Sequence, residues 1–389
     1  EGVVLPFTLM ILLVLSALTS VLLAMGAWEP QISTNLLRGT QALFVAEAGA
    51  ERAIAQFVAT PSQVSGAPAT CPTPAAPSVT VTTGTATVTY ACTVGTSTVL
   101  IQSTGASGIG SAQRTVRVAV TTSFVSDYAI LADEVEIEGN AKIKGTLGAV
   151  HGNTETEVTG STFVDQTATA AGATCSGCTD AGRVGVPGDS GAGKPPETIP
   201  GINPMDYKSK ADFILQDDGK ILVVATGVLV PENSGSFVGW KMDGGGKWKF
   251  SGSATPLDGA YYASKEIKIS ASPGTVGAPW KATFIAGTGA GTGEVEIKGH
   301  PYIAPYLQDV LIVAGEEVKL EGTEGDAALR GAVLSSGEVK LSGSVSLTGN
   351  VISNGEVKVS GDATVTYDVG TRTSLTGPLR TLSWSTTSQ

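Results

Sequence analysis

Short segments of one form recur along the chain and limit what it can fold into. EVEIEG (134–139), EVEIKG (294–299), EVKLEG (317–322), EVKLSG (338–343) and EVKVSG (356–361) all read Glu-Val-charged-aliphatic-x-Gly, and EIKISA (266–271) is a degenerate copy. The copies starting at 294, 317, 338 and 356 draw steadily closer together, a shortening period of the solenoid kind. In an extended segment Val and the aliphatic residue two places on share one face. Val135, Ile137, Val295, Ile297, Val318, Leu320, Val339, Leu341, Val357 and Val359 are therefore the expected repeat core. Glu and Lys take the other face, and Gly permits the corner. Second apolar strands lie between the copies, as in Val310–Val313, 332–334 and 350–352. One rung cannot cover its own apolar face, so rungs must stack. The expected product is a β-solenoid, a right-handed β-helix; a β-sandwich built of hairpins is the alternative. Stacking puts Lys319, Lys340 and Lys358 over one another, with Glu317, Glu338 and Glu356 on the same face to offset the repulsion.

Composition agrees. Fifty Gly and 15% charged residues fit many short strands joined by tight turns. At 389 residues two or three units are expected, with core enough not to depend on disulfides. A net charge of −11 and the lack of any Lys/Arg cluster exclude nucleic acid as a partner.

The other end of the chain differs. From Gly2 to Trp28 no residue is charged. As a helix this run reaches about 40 Å, more than the ~30 Å hydrocarbon core of a bilayer. It is too long for a secretory h-region and ends in no A-x-A-like site. Without an initiator Met, the chain reads as processed or trimmed. Past Glu29-Pro30, helix-compatible residues continue to Pro61, amphipathic in the second half, with Pro30 a candidate kink.

The opening resembles a type IV pilin N-terminus, and Ala46-Glu47-Ala48-Gly49-Ala50-Glu51-Arg52-Ala53 is similar to the A-E-A-G-x-E-R-A stretch of PilX-type pilus proteins. The resemblance extends from the first residue to about position 60. It implies processing by a prepilin peptidase, residence in the inner membrane, and delivery by the pilus assembly machinery into a homopolymer whose core is bundled helices. Glu1, Val3, Leu5, Phe7, Leu9, Leu12, Leu15, Leu18, Leu22, Ala24 and Gly26 are the polymerisation residues it implies. Small residues among them, such as Ala24 and Gly26, permit close helix approach. One departure is Leu5, where major pilins usually carry Glu; either Glu1 serves in another register or the chain is a minor-type pilin. The repeats, more loosely, are similar to those of bactofilin-like proteins and of β-helical regions attached to PilX-type N-termini.

Three regions follow: 1–60, the helix; 61–124, a linker and small antiparallel sheet of period-two Thr/Val runs; and 125–389, the solenoid, with an irregular insertion at about 160–239 displayed for contact. The fold class is α+β. The cysteines fall in two local pairs, Cys71/Cys92 and Cys175/Cys178, suited to an oxidising compartment. The first would tie linker to sheet; the second reads as a structural disulfide, since no second C-x-x-C or paired His completes a zinc site.

Other chemistry is sparse. His151 and His300 stand alone and read as surface or turn residues. Asp217-Asp218-Gly219 and the acids Glu321, Glu324 and Asp326 miss the EF-hand spacing and read as solvated turns. Trp240, Trp248, Trp280, Tyr261 and Tyr262 suit either a core or a carbohydrate or subunit surface. Acids in phase with the repeat read as a solvated face, so no catalytic residue, metal or cofactor is expected. The expectation is a structural subunit of an extracellular pilin-like filament. The alternatives are a minor or tip pilin with an adhesive or glycan-binding β-helix, and a membrane-anchored β-helical enzyme.

Overall fold

The computed structural model describes residues 4–59, 79–81, 84–92, 98–108, 112–124, 126–252, 256–322, 328–369 and 375–388. The chain is mostly β and divides into two units, Glu1–Ser123 with Pro378–Gln389, and Phe124–Gly377.

In the first unit α1 runs Val4–Ala59, through Pro30. Its second half buries Ala42, Ala46, Ala50, Ala53 and Phe57, spaced at three or four residues so that they share one face. That face packs on an antiparallel sheet of β1 (Val79–Val81), β2 (Gly84–Cys92), β3 (Thr98–Ser107) and β4 (Gln113–Phe124). The period-two pattern points Val88, Val99, Ile101, Val116, Val118 and Val120 at the helix. The strand Leu375–Ser388 joins this sheet beside β4. The other unit is thus an insertion between two neighbouring strands of the first.

The second unit is a β-solenoid with three strand faces, paired in parallel from rung to rung. The first face holds the apolar strands such as Val310–Ala314, Ala332–Ser335 and Val351–Ser353. The second holds the repeat, with Val318 over Val339 over Val357 and Leu320 over Leu341 over Val359. The third holds short strands such as Ala328–Arg330, Ser346–Thr348 and Thr364–Thr366. All ten of the expected repeat-core residues lie inside, none more than 2% exposed. Each contributes about 1.5–3 kcal/mol by leaving water.

Spatial order departs from chain order. The first repeat copy stacks on the last: Val135 lies over Val357 and Ile137 over Val359, in register although they stand near opposite ends of the unit's sequence. From that rung the chain climbs through Val150–Val158 to Thr174–Ser176. It then crosses to the far end, forms antiparallel hairpins over Phe213–Leu215, Lys220–Val223 and Val228–Pro231 and over Trp240–Met242 and Trp248–Phe250, and returns rung by rung to 356. The Tyr367 hydroxyl donates to the Ser126 carbonyl where the return meets the start.

The region at about 160–239 is accordingly not one displayed insertion. Its first part builds rungs, and its middle crosses the outside of the first face. There Ile202, Tyr207 in α2 (Met205–Lys208) and Ala211 cover Leu131, Tyr262, Ile285, Val313, Leu334 and Ile352. Apolar residues on both sides of the first face require that cover, which is why those strands are apolar throughout. Asn153 and Asn354 fasten the crossing segment: Asn153 donates to the Glu197 carbonyl and accepts from its N–H, and Asn354 donates to the Pro200 carbonyl and accepts from Ile202 N–H.

Candidate functional site

Of the residues expected to serve polymerisation, those from Leu5 to Gly26 lie on the first half of α1. Glu1 and Val3 fall outside the described residues, as do the side chains of Leu5, Phe7 and Ala24. Leu9, Leu12, Leu15, Leu18 and Leu22 are between 54% and 67% exposed, and so, comparably, are Met10, Leu13, Val14, Val21 and Leu23 between them. A Cβ on Gly26 would meet nothing within 4 Å. The helix is therefore apolar all round here, and such a helix is stable only in apolar surroundings. Among the described residues no helix is long and apolar enough to cross a membrane. The described apolar run at 8–23 would span only about 24 Å.

The AEAGAERA segment sits where α1 meets its sheet. Ala46, Gly49, Ala50 and Ala53 face the strands, while Glu51 and Arg52 are exposed. A Cβ on Gly49 would lie 2.3 Å from Ser103 Oγ, and one on Gly105 of β3 would lie 2.3 Å from the Ala42 carbonyl oxygen and 2.4 Å from Ala46 N. The motif's small residues thus set how closely helix and sheet backbones approach.

The second face of the solenoid carries the ionisable groups. Lys319 bridges Glu294 (2.8 Å) and Glu317 (2.7 Å); Lys340 bridges Glu317 (3.2 Å) and Glu338 (2.7 Å). Each cation thus sits between carboxylates of its own rung and of the preceding one. Partial burial opposes ionisation of both Glu317 and Lys319. Hydrogen bonds between opposite charges outweigh it, leaving Glu317 below and Lys319 above their ordinary ranges. The pattern breaks at Lys358, which reaches forward to Glu136 (2.8 Å) and Glu138 (3.3 Å) and not to Glu356. Glu356 is raised above the ordinary carboxylate range, first by burial and then by Glu338, Glu134 and Glu136.

Glu266, Glu294 and Glu296 bring carboxylate oxygens within 4.8 Å of one another, beside a pocket of about 450 Å³ that Asp217, Lys265 and Glu316 also line. Sequence reading missed this cluster. Its signal was Glu296, which stands in the 294 copy where most other copies carry Lys. The cluster is internally matched: Glu266 pairs with Lys247 at 2.5 Å, Glu296 with Lys268 and with Lys298 at 2.6 Å, and Glu294 with Lys319. A cation would have to displace those ammonium groups.

The remaining sequence candidates fall elsewhere. Cys175 and Cys178 form a disulfide in the rung at one end of the stack, with Cys178 fully buried. Cys71, Glu324 and Asp326 lie outside the described residues, as does the side chain of Cys92. His151 is a correction: it is 1% exposed, with Nδ1 2.8 Å from Thr169 Oγ1 and Nε2 3.2 Å from Asn153 Oδ1 under the crossing segment. Burial lowers its pKa against the opposing influence of Asn153 and Glu197. The His300 N–H bonds Ser272 Oγ. Asp217 accepts from Ser264, and Asp218 pairs with Lys220. Trp240, Trp280 and Tyr261 are interior, packed ring on ring with Phe250 and Phe284; Trp248 is interior as well, its Nε1–H donating to the Gln216 carbonyl, and Tyr262 lies under the crossing segment. They present no carbohydrate surface.

No family model and no curated protein matches the chain. Among solved structures, the crystal structure of competence-associated pilin ComZ from Thermus thermophilus is similar at 14% identity, over 90% of this chain and 98% of that chain, with a TM-score of 0.30. A likeness at that score carries no functional argument.

Proposed function

We propose that the chain is a structural subunit of an extracellular type IV pilin-like filament, with the first half of α1 in the filament core and the β-units outside. The observation that carries this reading is the helix that is apolar all round over 8–23 and then continues onto a small antiparallel sheet. The first half needs apolar neighbours on every side, and like helices from other copies supply them. The PilX-type likeness of the AEAGAERA segment supports the same reading. It brings with it passage through the inner membrane, prepilin peptidase processing and the pilus assembly machinery. On this reading the chain is not an enzyme, and it needs no cofactor.

Deleting Val3–Ala27 tests the role of the helix. The expected result is loss of polymerisation with the β-units still folded. A simple anchor would instead lose only its localisation. Stoichiometry in sheared surface filaments then ranks the subunit: the chain is expected as the main component, and a trace amount would move it to the minor or tip position.

A further inference from the structure

On the second face of the solenoid, one column of outward side chains is in register from Lys241 through Lys249, Lys268, Glu296, Lys319, Lys340, Lys358 and Glu136 to Glu157, with the uncharged Ser176 stacked beyond it. Nine strands at the ~4.8 Å spacing of neighbours cover about 38 Å. The middle of this face is neutralised, each lysine from 268 to 358 lying in an ion pair. Its ends are not. Toward one end, just inside the terminal strand Thr174–Ser176, Glu134, Glu155 and Glu157 stack over two rungs, and among the described residues none has an ion pair. At the other, exposed Lys241 and Lys249 are likewise unpaired. In-register like charges repel at both ends. The unmatched charge at one end is opposite to that at the other, on one continuous sheet face.

We propose that this face is a contact surface between copies of the chain, the acidic end of one solenoid meeting the lysine end of the next. The occupant is a second copy because the same sheet supplies both halves of the complementarity. The setting is the filament proposed above, in which copies repeat at a fixed stagger, and in this respect the inference rests on that reading. Such a contact is heterologous, the kind that extends into a filament when the rotation from copy to copy does not close a ring. Because its charges are exposed, it must weaken with salt, the Debye length falling from about 10 Å at 0.1 M toward about 3 Å at 1 M.

A zero-length carbodiimide, which joins only carboxylates and amines in direct contact, applied to filaments of the full chain and to the concentrated full chain tests this. The ends are too far apart within one copy to be joined, so a link between Glu155 or Glu157 and Lys241 or Lys249 reports two copies. The intramolecular Glu294–Lys319 pair, at 2.8 Å, is the built-in control. The end-to-end link is expected in the wild type and should fall severalfold between 50 mM and 500 mM salt. It should drop at least fivefold in Glu134→Lys/Glu155→Lys, which leaves Glu157 and both lysines open to the reagent, and recover when Lys249→Glu is added. Filaments that give the control link and no end-to-end link overturn the proposal and leave the filament reading standing. End-to-end links in concentrated chain that forms no filament do the reverse. Control links alone, without filaments, count against both.

Discussion

At the scale of single residues, two positions carry more than their size suggests. Gly105 lies on β3 where its missing side chain lets the α1 backbone pass, and both atoms a Cβ would strike belong to that backbone. Neither can turn aside as a side chain would. Gly105→Ala is expected to lower stability by about 3 kcal/mol, at the upper end of ordinary overpacking, and to loosen α1 from its sheet; denaturant titration followed by near-UV signals at Tyr90 and its neighbours would read it. Glu356 is the opposite case, a carboxylate held where three others repel it. A carboxylate whose folded pKa is raised loses stability as pH climbs through its unfolded value, near 4.5, to the raised one. Glu356→Gln should therefore stabilise at neutral pH, by less than ~1 kcal/mol since the site is only partly buried, and have no effect well below pH 4. Melting both proteins across pH 3–8 decides this. Equal melting shifts at pH 3 and 7 would contradict the assigned cause. Glu317 has the other sign: its lowered pKa adds stability above its unfolded value that is lost as pH falls through the folded one.

At the scale of elements, the solenoid was legible because a hydrophobic pair at fixed spacing and a corner Gly are local features. Gly343, Gly361 and Gly139 close successive rungs, all with φ between 71° and 75°, a conformation that favours Gly. The join between the 134 and 356 copies was not legible. Parallel pairing between strands so remote in sequence leaves no local mark, and every copy of the repeat fits every other equally well. His151 failed as a surface residue for a similar reason, since the segment that buries it, near Glu197, lies well further along the chain. A stack of this kind is held rung by rung, so its ends open before its middle. The Cys175–Cys178 disulfide lies in an end rung. Replacing both with Ser is expected to cost about 2 kcal/mol by the loop-closure relation for so short a loop. The cost should be confined locally: hydrogen exchange should quicken over 168–191 and stay unchanged over 317–359. Uniform quickening would argue for a single cooperative unit.

At the scale of the whole molecule, the earliest strands of the sequence and its last strand share one small sheet, and in chain order the solenoid is inserted between two neighbouring strands of it. This arrangement lets a long β-unit be added to a helix-and-sheet body with no change to the helix that the proposed filament would use. The unmatched charges at the two ends of the second face give the added unit its own means of contact, independent of the helix. The helix fits the filament reading through its all-round exposed apolar half, a surface that no part of the described chain covers. What surrounds that half in the assembled state is the central claim. An image of filaments purified from cells, at a resolution that traces side chains, tests it most directly. The account predicts residues 8–23 of this chain packed against the same residues of other copies along the axis, with the β-units outside. A filament core built from a different chain, or one in which residues 8–23 face solvent, would contradict it.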